Sequence, residues 1–420
     1  MIHLTTIQHF IEAIEQGNSE QIEQLIDSFL LNAPPNEQYE LMEIFLQYGY
    51  LQEADRLLEN LAFLYPEEAQ IAIDRATVKM ELGEEDVALE YLLTVPQHAE
   101  EYPQALLALA DYYQMQGFYE VAERYIQQSL ELLPNEPLLQ FAKAELLMET
   151  GRFTEAIRLY EQLHHADKTI AGVSLAARLA EAYRSGAAYE KALAYYMKAL
   201  EEEMTADLLF GSAYAAFQVK NYETVIQQLE DLKELDPDYF SAYLLLAESY
   251  AMLEENNKAY QVIQLGLTRD EYDKALFLFA GKIALKIGLE EEAVQHLQQA
   301  IALDPEYMEA ILVLMSIFEK QERFADMIQL HEYLQQQQFE WNALYPFVAR
   351  AYNKDEQFNK AYEFYQRAYN DFNEDVLFLE EYCYFLLEDS KRLEAKQVAA
   401  RLVELQPTEE QWVELYESFE

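Results

Sequence analysis

The sequence predicts an all-α fold, an α-solenoid of stacked helix pairs, and three observations predict it. Gly and Pro supply 11 residues each of 420, about 5% together against a typical ~12%, so long irregular connections are scarce. Apolar residues make up 51% and aromatic residues 13% of the chain, too much core material for the disorder that a net charge of −48 would otherwise suggest. Finally, a small or aliphatic residue recurs as Ile22, Ala54, Ala88, Ala122, Ala156, Ala192, Val225, Ala259, Ala293, Met327, Ala361 and Ala395. The intervals are 32, 34, 34, 34, 36 and 33, then 34 five times. A period of this size marks an array in which each unit buries its apolar face against its neighbours.

Each unit divides into two amphipathic segments. In residues 103–136 the first reads PQALLALADYYQMQ, with Leu106, Leu109, Ala110 and Tyr113 at helical spacing. Gly117 supplies the permissive backbone of a helix end. The second segment, YEVAERYIQQSLELL, sets Ala122, Ile126, Ser129 and Leu130 on one face. Pro134 closes it, because proline cannot continue a helix and restricts the residue before it. Prolines recur at that phase as Pro34, Pro66, Pro237, Pro305 and Pro407. Small residues at Ala110, Ala144, Ala180, Ala213, Ala247, Gly281, Ala349 and Cys383 mark where paired helices must approach closely.

These residues resemble the tetratricopeptide repeat (TPR) family. The match is to its 34-residue period, its small residue at the eighth position (Ala110, Ala247), its tyrosine at the eleventh (Tyr113, Tyr183, Tyr250, Tyr352), its alanine at the twentieth and its proline at the thirty-second. The family's tryptophan at the fourth position is replaced by Leu106, Tyr243, Phe277 and Tyr345. The resemblance covers about twelve units, residues 3 to roughly 409, and implies a right-handed superhelix. We expect one continuous solenoid over residues 1–407, with a softer joint near His164–Gly172 where the interval lengthens to 36. Residues 408–420 are expected to form a C-terminal capping helix, opened by a Thr408–Gln411 capping box and carrying Trp412, Leu415 and Phe419 on one face.

Composition excludes several functions. With 77 acidic residues against 29 Lys and Arg, the chain lacks the cations that nucleic-acid binding rests on. One cysteine, Cys383, forms no intramolecular disulfide and suits a reducing compartment. No basic segment followed by a long apolar run opens the chain, and the uncharged stretch from Leu208 to Val219 is too short to span a bilayer. The expectation is a cytoplasmic protein without membrane insertion. Seven histidines form no HExxH or CxxxxH grouping, and His164-His165 beside Asp167 point apart on a helix. No GxxxxGK[ST], GxGxxG or GxSxG occurs. We therefore expect no metal, no cofactor and no enzymatic activity, with Cys383 a packing residue rather than a nucleophile.

In the resembled family a concave groove is lined by the second, fifth, ninth, twelfth and thirteenth positions of each unit. Three groups of side chains fall at those phases here. A basic ladder comprises Lys286, Lys320 and Lys354, with Lys282 and Arg350 four residues before two of them. Aligned cations suit an acidic peptide or a C-terminal carboxylate, although lysine at a helix C-terminus also complements the helix dipole by ~0.3–1 kcal/mol. An acidic stretch of Asp111, Glu145, Glu181 and Glu248 suits a basic segment or serves solubility alone. An aromatic stripe of Phe210, Tyr214 and Phe217, with Phe141, Tyr39 and Tyr384 at equivalent places, reads as binding anchors or as packing. The family's dicarboxylate clamp needs Lys at the fifth and Asn at the ninth position, and neither appears at those phases. The expected function is a non-enzymatic scaffold or adaptor that binds protein or peptide segments in the groove. The alternatives are a peptide-responsive regulator, disfavoured by repeats that begin at residue 3, and a chaperone-like holdase. Oligomeric state is not readable from the sequence.

Overall fold

The computed structural model describes residues 6–419, and among them the chain forms twenty-five α-helices, one two-stranded hairpin and one 3-10 turn. The helices divide into two compact units, Met1–Ala215 and Ala216–Glu420.

In the first unit helices alternate in pairs, and the pair Tyr102–Met115 and Tyr119–Leu132 stands for the rest. Leu106, Leu109 and Ala110 are buried on the first helix, Ala122, Ile126 and Ser129 on the second. Tyr113 stacks on Tyr125 with centroids 5.5 Å apart. Gly117 adopts φ +75°, and the Phe118 N–H donates to the Tyr113 carbonyl at 2.8 Å, closing the first helix in a Schellman-type bond. The second helix stops at Leu132, two residues before Pro134. Successive apolar clusters share neighbouring helices, from Phe10, Phe29 and Phe45 packed edge to face at one end to Phe141, Tyr160 and Tyr196 at the other. Each unit of the array thus buries its face against the next, as the periodicity predicts.

The 36-residue interval has a specific cause. Thr169–Ile170 and Val173–Ser174 pair as antiparallel strands, joined by Ala171 and Gly172 at φ 50° and 80°. Two left-handed residues make the turn that suits a twisted hairpin. This hairpin overlaps the end of the stretch expected as a softer joint: Ile170 is buried and the Ser174 hydroxyl accepts from the Ala177 N–H at 3.3 Å to cap the next helix.

In the second unit one continuous cluster runs from Leu278 to Trp412. Ala247, Ala349 and Cys383 are fully buried at the close-approach position, and at Gly281 a Cβ would lie 2.8 Å from Leu297 Cγ. One first helix departs from the pattern: it opens as the 3-10 turn Asn342–Leu344 before Tyr345–Lys354, where Pro346 lacks the N–H of a helix interior. The terminal helix, Glu410–Glu417, begins one residue later than its sequence signal. Its N-cap is Glu409, with no side-chain cap bond, so the Thr408–Gln411 box does not form. Burial holds this helix instead: Trp412 is 1% exposed, and Leu415 and Phe419 pack half-buried on the same cluster.

The left-handed turn residue recurs throughout, as Gly17, Gly49, Gly83, Gly117 and Gly151, then Ala187, Lys220, Glu254, Gly288, Glu322, Glu356 and Ser390. After Gly151 only one of these seven turns has the glycine that left-handed backbone favours.

Candidate partner-binding faces

Lys286, Lys320 and Lys354 each form the last residue of a first helix, Lys274–Lys286, Met308–Lys320 and Tyr345–Lys354. All three are exposed, and among the described residues none has an ion-pair or aromatic partner. From residue 216 onward every other Lys or Arg except Lys220 has one. In a chain with 48 excess negative charges, three cations at a 34-residue interval form no ion pair among the described residues, and only Lys354 acts at longer range on a carboxylate, lowering Glu381. The upper step of the ladder differs. Lys282 is bonded to Glu309, and Arg350 is bonded to Glu319 and paired with Glu381, the latter at 2.9 Å. Those two cations are internally satisfied.

Arg350 belongs to an arrangement that the sequence reading missed. The Tyr365 hydroxyl donates to Glu381 Oε1 at 2.5 Å, so Arg350, Tyr365 and Glu381 meet across two repeat units. The first unit holds the same constellation with its charges exchanged: Tyr160 donates to Glu145, and Arg178 lies 3.2 Å from Glu145. Arg178 also reaches Glu181 at 3.0 Å. Burial raises Glu381 above the usual carboxylate range, opposed by Arg350. A findable signal existed, because tyrosine replaces at 160 and 365 the aliphatic residue held by Ile126, Leu229 and Leu297 in other units.

The acidic residues are therefore not equivalent. Glu145 and Glu181 share Arg178, and Glu248 is half-buried, raised by desolvation and lowered by the Lys282 charge. Asp111 reaches the surface, yet the protein mass around it desolvates the carboxylate and pushes it up to about 6. Its folded value exceeds the ordinary 3.8, so the folded state binds the extra proton between roughly pH 4 and 6, and ionised Asp111 opposes folding above that window. Discounted for the exposed side chain, this amounts to about 1 kcal/mol. Asp111→Asn is expected to raise Tm by ~2–4 °C at pH 7.5 and to leave it unchanged near pH 4. Scanning calorimetry at both pH values decides it, and equal shifts at both would reject the assignment.

Phe210, Tyr214 and Phe217 share the helix Ala206–Gln218 and are half-buried. Tyr214 packs edge to face on Tyr189, with centroids 6.3 Å apart, and Phe217 packs on Tyr222 at 5.6 Å. Among the equivalent aromatics, Phe141 is buried against Tyr160, Tyr39 donates to Asp74, and Tyr384 is half exposed beside Trp412. Packing accounts for part of the stripe, most clearly at Phe141.

Cys383 is buried, its thiol is pushed up to about 11 by burial, and its Sγ faces the Ala395 carbonyl at 3.8 Å. That is the environment of an inert packing residue. His164 lies edge to face with Tyr195. Among the described residues no group of three or more His, Cys, Asp or Glu could hold a metal ion, and no helix is long and apolar enough to cross a membrane.

Stacked helix pairs with a 34-residue period, small residues at each close approach and a buried terminal helix define a tetratricopeptide repeat protein. Residues 114–168 match the YpiA-like tetratricopeptide repeat family, residues 338–409 its C-terminal repeats, and residues 275–307 a general tetratricopeptide repeat. The chain is 34% identical over 407 residues to the TPR repeat-containing protein YpiA of Bacillus subtilis strain 168, covering 97% of this chain and 96% of that one. It belongs to the YpiA-like family of tetratricopeptide repeat proteins. Identity to tetratricopeptide repeat-containing protein trd-1 of Caenorhabditis elegans is 23% over 159 residues, 37% of this chain and 20% of that one. Among solved structures, YrrB, described as a TPR protein with an unusual peptide-binding site, has a TM-score of 0.40 at 18% identity, over 45% of this chain and 96% of that one. A tetratricopeptide repeat protein from Parabacteroides merdae has a TM-score of 0.42 at 19% identity, over 60% and 98%. Repeats of this family build protein–protein interaction scaffolds.

Proposed function

We propose that this chain is a non-enzymatic cytoplasmic adaptor that holds an anionic protein segment on the first-helix face of residues 216–420. The observation that carries the reading is the set of unpartnered lysines at 286, 320 and 354. Elsewhere in that unit carboxylates or aromatic rings take up almost every cation. A partner of opposite charge supplies what the chain withholds, and alignment of the three adds orientation to attraction. The helix dipoles at the same helix ends favour lysine there, but they leave the side of each ammonium that faces solvent without a counterion. Selection of phage-displayed random peptides on the intact chain in about 50 mM salt, where surface charges are weakly screened, tests the proposal. Enrichment of peptides with net negative charge is expected, and it should fade at about 0.5 M salt. Enrichment of neutral or basic sequences, or none, overturns the proposal.

A further inference from the structure

Between the helices Lys274–Lys286 and Met308–Lys320 lies a recess of ≈ 570 Å³. Its apolar lining comes from Leu285, Leu312, Val313 and Ile317, and Lys320 stands on its rim. Leu312 and Val313 are only half-buried, so apolar surface stays open to solvent directly beside one of the unpartnered lysines. Ser316 also lines the recess and ties its hydroxyl back to the Leu312 carbonyl at 2.8 Å. Gln321, the residue after Lys320, donates its amide to Glu290 Oε2 at 2.7 Å, so one carboxylate also lines the recess and its apolar floor suits an uncharged side chain.

We infer that this recess is the anchor site for one bulky aliphatic side chain of an anionic segment, placed beside the carboxylate that engages Lys320. The inference rests on the adaptor reading above and names the chemistry of its partner. In an extended segment side chains alternate faces, so residues two apart share one face about 6–7 Å apart. A carboxylate held by Lys320 therefore sets an aliphatic side chain two residues away over the recess. An acidic segment without the apolar residue gains charge attraction alone, which is easily screened. Burial of a leucine-sized side chain adds a contribution that salt does not remove.

The test repeats the peptide selection on the intact chain and on Ser316→Trp, whose indole would fill the recess from an exposed helix position. Circular dichroism and a melting curve check that the variant folds. The selected peptide, labelled with fluorescein, and its copy with the apolar residue changed to Ala are then titrated by anisotropy, a comparison that needs no protein variant. The expected result is enrichment of an aliphatic residue two positions from an acidic one, roughly tenfold weaker binding of the Ala copy, and a similar loss on Ser316→Trp with the acidic preference kept. Acidic peptides enriched without an aliphatic residue, or an Ala copy that binds equally, overturn the anchor site while leaving the adaptor reading intact. Loss of the acidic preference itself overturns both.

Discussion

Reversing Lys286, Lys320 and Lys354 to Glu together is expected to weaken binding of the selected anionic peptide by at least a hundredfold in about 50 mM salt. Each reversal removes an attraction and adds a repulsion at a site where the wild-type charge has no counterion of its own. A few tenths to about 1 kcal/mol per exposed contact, lost and then inverted across three sites, reaches ~3 kcal/mol. The folded chain should survive, because no ion pair is broken; the lost helix-dipole contribution is ~0.3–1 kcal/mol per site. Lys220 provides the control. It too lacks an ionic or aromatic partner, but it occupies a turn between helices with φ 62° rather than a ladder position. Lys220→Glu should leave affinity within about twofold at the same salt. Isothermal titration decides it: a triple variant that binds like wild type, or a Lys220→Glu chain that loses as much, rejects the ladder as the docking face.

Trp412→Ala is expected to produce the largest loss of stability among single substitutions near the C-terminus, about 3–5 kcal/mol by the usual range for buried tryptophan. The indole is 1% exposed, its Nε1 donates to Glu380 Oε1 at 3.2 Å, and its ring lies 5.4 Å from that of Tyr384. It is the principal buried residue of the helix Glu410–Glu417, which lacks a side-chain cap, so removing it leaves little to hold that helix down. The apolar side of the pair Val376–Glu388 and Arg392–Leu405 would then face water. Urea unfolding together with hydrogen exchange should show a lower midpoint and faster exchange over residues 376–405, with residues 1–150 unaffected. Unchanged protection over 376–405 would mean that the terminal helix does not act as a cap.

Much of this architecture was legible because it repeats. Period, small close-approach residues and closing prolines recur on the chain itself, and burial of Ala110, Ala247 and Cys383 follows from their phase. What repetition does not carry is any contact made by one unit's exceptional residue on the next. Glu145 and Arg350 occupy the same phase with opposite charge, and only packing shows that each pairs with an opposite charge from a neighbouring unit while a tyrosine donates to the carboxylate of the pair. For the same reason the ladder read as five cations and divides into two satisfied and three open ones. The capping box failed differently. Thr408 and Gln411 have the right spacing, yet the helix begins after Glu409 with no side-chain cap, and burial of Trp412 rather than a cap holds it.

The left-handed turn residues have a consequence for how such a chain changes over generations. The bond that closes each first helix comes from the backbone, so the bend persists whether the site holds Gly83, Lys220 or Glu356. Non-glycine residues there carry strain of ~1 kcal/mol each, and six of the seven turns after Gly151 carry it. Three of these sites, Gly288, Glu322 and Glu356, come two residues after Lys286, Lys320 and Lys354. Drift to or from glycine there changes the durability of a repeat at the same helix end that carries a ladder lysine. Endurance and recognition are thus tuned in adjacent positions, one turn at a time.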